Sequence, residues 1–139
     1  MSQENVDIVR RALEAFDKGG LDATLSFYDP DVTWVVAEDE PEAATLRGYD
    51  GLRALLAQWL QAFDELHIDP KEFIDAGEAV VMPYQFRARE RSSGSEITAP
   101  ETWVFWLRDG MIIEVREYRH KAEALEAVGL SEQDAHADS

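Results

Sequence analysis

The sequence contains no cysteine. That absence removes disulfides, thiolate nucleophiles and cysteine-ligated metals together. Basic residues are scarce: 13 Lys and Arg stand against 29 Asp and Glu, giving a formal net charge of −16. So acidic a chain repels phosphate backbones and anionic membrane surfaces, which argues against nucleic-acid and membrane partners. No apolar run approaches the length that crosses a bilayer. The opening "MSQENVDIVRRALEAF" lacks the basic segment and apolar block of a signal peptide, so a cytoplasmic protein is expected. His67, His120 and His136 are dispersed without ligand spacing, and no metal is expected. Neither a glycine-rich phosphate loop nor a nucleophile elbow occurs, so no cofactor is implied.

What remains is enough for one domain with its own core: 139 residues, 45% hydrophobic and 10% aromatic. The domain is expected over residues 1–130, with 131–139 as an acidic, disordered tail. A second acidic concentration, "EDEPE" at 38–42, reads as a solvated loop. The surrounding stretch, residues 37–48, is long enough to act as a flap, though a plain surface loop accounts for it equally.

Helical spacing of Val6, Val9, Leu13 and Phe16 predicts a first helix stopped by "DKGG" at 17–20. "LDATLSFY" predicts a second, ended by Asp29-Pro30. "VTWVV" at 32–36 reads as a strand. Asp50 is placed to cap a third helix, in which Leu52, Leu55, Leu56, Trp59, Leu60 and Phe63 form one broad apolar face. Strands follow at 66–75, 78–91, 96–108 and 111–119, then a short helix in "KAEALEAVGL". The fold class is therefore α+β: a curved antiparallel sheet of four consecutive strands plus one early strand, with three N-terminal helices laid against it.

The chemistry concentrates in "ETWVFWLRDGMIIEVREYR", residues 101–119, a hairpin about Asp109-Gly110. Register decides which side chains share a face. A two-residue turn opposes Arg108 to Met111 and mixes polar with apolar residues on both faces. A three-residue loop with Gly110 as a bulge pairs Leu107–Met111, Phe105–Ile113, Trp103–Val115 and Glu101–Glu117. That second register is preferred, because it gives one face that is apolar near the turn and ionic at its far end. Two facing carboxylates repel, and one tends to hold a proton unless a cation such as Arg119 compensates. Such a pair can give and take protons. The plainer reading leaves Glu101 at the sheet margin in water and Glu117 paired with Arg119.

These stretches, with "RGYDGLRALLAQW" at the third helix, resemble the SnoaL-like branch of the nuclear transport factor 2-like superfamily over residues 3–130. The resemblance implies a strongly curved sheet wrapped by helices into a cone whose open end holds a small molecule. It also implies a homodimer through the outer sheet face. Members include polyketide cyclases, ketosteroid isomerase, limonene epoxide hydrolase and dehydratases, beside others that only bind ligands. The isomerase machinery is not matched. Its helix-one tyrosine falls at Ala12 or a neighbour, and its two aspartates fall near Trp34 and Trp103. Tyr28 matches a tyrosine near the pocket floor. Where relatives often carry aspartate before the last helix, this chain has His120. Glu101, Glu117 and Arg119 could imitate the late-strand acid of the cyclases or the acid–arginine cluster of the epoxide hydrolases.

Tyr28, Trp34, Trp59, Tyr84, Phe86, Trp103 and Phe105, with Val115, are the expected pocket wall. Each ring alone is as easily core, but together they exceed what a small core needs. Arg87, Arg89 and Arg91 alternate with Tyr84 and Phe86 and are expected on the outer face, available to acidic residues of a partner subunit. Two function classes follow. One is a cofactor-independent acid–base enzyme acting on a hydrophobic carbonyl or epoxide compound. The other is a ligand-binding module with the same pocket and no chemistry.

Overall fold

The computed structural model describes residues 2–37 and 45–131. The acidic run at 38–42, most of the 37–48 loop and the tail from residue 132 lie outside the described residues.

The chain folds as helix α1 (Ser2–Thr24), a 3-10 turn (Leu25–Phe27), strands β1 (Tyr28–Val35) and β2 (Thr45–Arg47), helix α2 (Gly48–Ala62), strands β3 (Phe63–Pro70), β4 (Ile74–Asp75), β5 (Ala79–Glu90), β6 (Glu96–Arg108) and β7 (Met111–Tyr118), and helix α3 (Lys121–Ala127). The span of α1 holds the first two helices expected from sequence, broken at Gly20 where the "DKGG" stop was expected. Gly20, at φ +76°, adopts a backbone conformation that side chains resist, and the axis breaks there. Asp50 does not cap α2; it lies within the first turn, and Arg47 holds the cap position. Its charge still suits the positive end of the helix.

The sheet is curved and unclosed, in the order β2-β1-β7-β6-β5-β3, with β4 paired to β5. It is mixed rather than antiparallel throughout. β1 runs parallel to β7, with Trp34 beside Val115 and Val35 beside Arg116. Proline at position 30 did not delay the strand, which begins at Tyr28.

Two cores lie on opposite faces. On the inner face Val6, Val9 and Ala12 of α1 and Leu52 and Leu55 of α2 pack on Val80, Met82, Trp103, Phe105, Ile112 and Val115. On the outer face Ala124 and Leu125 of α3 cover Ile74, Val81 and Val104. Both α3 residues are fully enclosed. The arginines of β5 do lie outward, but their acids belong to this same chain. Arg87 pairs with Asp69, and Arg89 reaches Asp64 and Glu65, each at 2.9 Å. Arg91 donates to the carbonyls of Leu60 at 2.8 Å and Phe63 at 3.2 Å, satisfying the end of α2.

The hairpin corrects the preferred register. Asp109 (φ +52°) and Gly110 (φ +79°) both take left-handed angles, so the turn has two residues and Arg108 opposes Met111. The extra residue sits inside β7 instead. Leu107 pairs with Ile112 and Trp106 with Glu114, leaving Ile113 bulged. Beyond the bulge Phe105 opposes Val115 and Trp103 opposes Glu117. The bulge reverses the alternation of β7, so Ile112, Val115 and Glu117 all face inward although the first two are an odd three positions apart. Glu101 and Glu117 share a face as expected, but they are not cross-strand partners.

Candidate functional site

Inward alternation along four strands brings the chemistry-bearing residues to one place. β5 supplies Tyr84 and Phe86, β6 supplies Glu101 and Trp103, β7 supplies Glu117 and β1 supplies Trp34. Tyr84 lies directly across from Glu101, and its hydroxyl donates to the carboxylate at 2.7 Å. Trp34, held beside Val115 by the parallel pairing, donates its indole N–H to Glu117 at 2.7 Å. Each acid is thus fixed by a hydrogen bond from an aromatic side chain that is itself buried. A buried donor that already points at a carboxylate orients it without further ordering cost.

Tyr84 holds its proton far more tightly than a free phenol. Burial is the main cause, followed by the negative charge of Glu101 and its hydrogen bond, with Glu117 adding to the effect. The Nε1–H of Trp103 lies near the Tyr84 oxygen and opposes this rise slightly. It does not reach bonding geometry, and among the described residues Trp103 Nε1 is the buried side-chain polar atom without a hydrogen-bond partner. Burial likewise raises the Tyr28 phenol.

Around the acids lies a cleft of ≈ 430 Å³ lined by Leu55, Gln58, Trp59, Phe63, Ile68, Tyr84, Phe86, Trp103, Glu101 and Glu117, with Val36 at its edge. Beneath it an apolar cavity of ≈ 50 Å³ is bounded by Ala12, Thr24, Tyr28, Trp34 and Leu52. Leu55, Trp59, Ile68 and Trp103 line both spaces. Their rings stack at 6.0 Å and 16°, while Trp34 meets Trp103 edge-on at 4.8 Å. A roomy cleft therefore adjoins a small apolar cavity, here called its floor.

Six of the residues expected from sequence line the cleft: Glu101, Glu117, Trp59, Tyr84, Phe86 and Trp103. Tyr28 and Trp34 line the floor cavity instead. Phe105 and Val115 line neither. Both are fully enclosed in the inner core, because they sit nearer the turn, where α1 and α2 close over the sheet. Arg119 is not at the cleft. It lies past the end of β7 and lines a separate outer cleft of ≈ 560 Å³ with His120, Glu123 and Glu126, and Glu117 borders both. Gln58 and Phe63 were missed by sequence reasoning. Phe63 was counted on the helix face, whereas the chain turns to strand at that residue and swings its ring against Phe86 at 5.3 Å. Among the described residues no three His, Asp or Glu side chains gather as a metal site, and no helix is long and apolar enough to cross a membrane.

The sequence model of the SnoaL-like domain matches residues 9–115. No curated protein matches the chain significantly. Among solved structures, an NTF2-like protein of unknown function from Burkholderia pseudomallei superposes with a TM-score of 0.75 at 24% identity, over 91% of this chain and 98% of its own. TerC, co-crystallized with polyporic acid, superposes with a TM-score of 0.75 at 22% identity, over 90% of this chain and 98% of its own. An NTF2-like protein from Burkholderia xenovorans gives a TM-score of 0.70 at 26% identity, over 93% and 98%.

Proposed function

The chain belongs to the SnoaL-like domain family, and from that premise we propose that it binds a small hydrophobic molecule in the aromatic cleft and performs cofactor-independent acid–base chemistry on it. The substrate class is a carbonyl or epoxide compound, and the reaction a cyclisation, isomerisation, dehydration or addition of water. The observation that carries the reading is the pair of inward carboxylates, each held at 2.7 Å by an aromatic donor at the wall of an otherwise apolar space. The family includes polyketide cyclases, and the polyporic acid crystallized with TerC supports a small organic molecule as the kind of ligand.

Glu117 is assigned as the base. Trp34 steadies one of its oxygens and leaves the carboxylate reaching toward the cleft. On the other side Tyr84, backed by the Glu101 carboxylate, keeps its own proton and serves the substrate oxygen as a hydrogen-bond donor. Arg119, across Glu117 in the outer cleft, moderates the summed charge of the two acids. A homodimer through the part of the outer sheet face left open by α3 belongs to the same proposal and is checked by light scattering.

The test needs no knowledge of the natural substrate. Aryl ketones are incubated with the protein in D2O, and exchange at the carbon next to the carbonyl is followed by NMR. Wild-type protein is expected to accelerate exchange, and Glu117→Gln to lower the acceleration by about 100-fold or more, as loss of a general base does. Ketones that bind without any exchange would leave a binding module and remove the chemistry.

A further inference from the structure

The cleft has two carboxylates and a wall of rings, and among the described residues no lysine, arginine or histidine lines it. Arg119 and His120 face the outer cleft beyond Glu117. Glu101 makes no ion pair among the described residues, and its hydrogen bond comes from a neutral phenol. A carboxylate that only neutral groups hold retains its full negative potential in the space it faces. Ring faces add to that potential, since each aromatic quadrupole presents negative charge to a cation above it. The net charge of −16 deepens the same field. A second feature lies at the same wall: Trp103, a cleft-lining residue only 3% exposed, has an indole N–H with no acceptor among the described residues.

We propose that the ligand of this cleft carries a positive charge, as a protonated amine or quaternary ammonium on a hydrophobic frame, with Glu101 as its counter-ion. Trp59 and Phe86, rings of the cleft that are only partly buried, present the surface against which the cationic centre sits. A neutral or anionic compound of the same shape is disfavoured, because it leaves Glu101 without a counter-charge when the cleft loses its water. The proposal rests on the cleft being the ligand site and narrows the substrate class within that reading.

Two isosteres separate the possibilities. Benzyltrimethylammonium and neopentylbenzene have the same shape and differ only in charge. Each is titrated into the wild-type protein, and tryptophan emission is followed, since Trp59 and Trp103 form the wall. The cation is expected to bind at least tenfold more tightly, and its affinity alone is expected to fall as salt is raised. Glu101→Gln, with its fold checked by circular dichroism, is expected to narrow the gap between the two. Equal or tighter binding of neopentylbenzene overturns the proposal and leaves the cleft as a hydrophobic site. No response to either compound overturns the proposal together with the cleft reading it stands on.

Discussion

Raising pH above 10 tests the buried phenols directly. Tyr28 is 6% exposed and Tyr84 3%, and both hold their protons above the ordinary value of 10.0 in the folded state. Just above that value the unfolded chain has lost protons that the folded chain keeps. The unfolded state then binds fewer protons, so stability falls as pH rises and is fully present below pH 10. Each phenol approaches a limiting slope of about 1.4 kcal/mol per pH unit, and between pH 10 and 11, where the unfolded phenol is still ionising, contributes about 1 kcal/mol, or roughly 2 for the two. With a urea dependence of about 2 kcal/mol per molar, the unfolding midpoint is expected to drop by ~1 M from pH 10 to 11. Urea melts at pH 8, 10, 10.5 and 11, followed by circular dichroism, read the slope. Tyr84→Phe should halve it. The same substitution should cost about 0.5–1.5 kcal/mol at pH 8, the net worth of one hydrogen bond whose acceptor water can reach. An alkaline slope unchanged in both Tyr84→Phe and Tyr28→Phe would show that these phenols ionise freely, and the enclosed site would fail with them.

Trp34→Phe keeps a ring against Trp103 but deletes the N–H that holds Glu117, and proton exchange is expected to fall about tenfold while the melting midpoint changes little; an unaltered rate would detach Trp34 from the chemistry. Leu125→Ala empties the fully enclosed contact of α3 with the outer sheet and is expected to cost about 2–5 kcal/mol in a urea melt, with cleft affinity retained; a cost below ~1 kcal/mol would mean that α3 contributes little to the fold.

Much of this fold is legible in local pattern. The apolar stripe of α2, the bounds of β6 at Glu96–Arg108 and the turn at Asp109-Gly110 follow from spacing and from residues that tolerate left-handed angles. The inward placement of Glu101 and Glu117 is legible too, although for an incomplete reason. Sequence reasoning put the extra residue in the turn, where glycine makes bulges common. The protein puts it at Ile113, and nothing about an isoleucine in an apolar run marks it as the bulge. Either position restores the inward parity of Glu117, which is why the face survived and the pairing did not.

Composition and periodicity by themselves determined an acidic α+β domain with an apolar helix on a late antiparallel sheet and acids at one end of its last hairpin. Only the tertiary structure decided which aromatic side chain holds which acid. Trp34 and Glu117 are 83 residues apart and meet because β1 lies parallel to β7. It likewise sent Phe105 and Val115 into the core and left Arg119 outside the cleft. Side-chain alternation is a property of one strand and can be read along it. The neighbour of that strand, and how deeply the helices cover it, depend on contacts between distant segments, whose closing entropy is offset only when the whole sheet assembles.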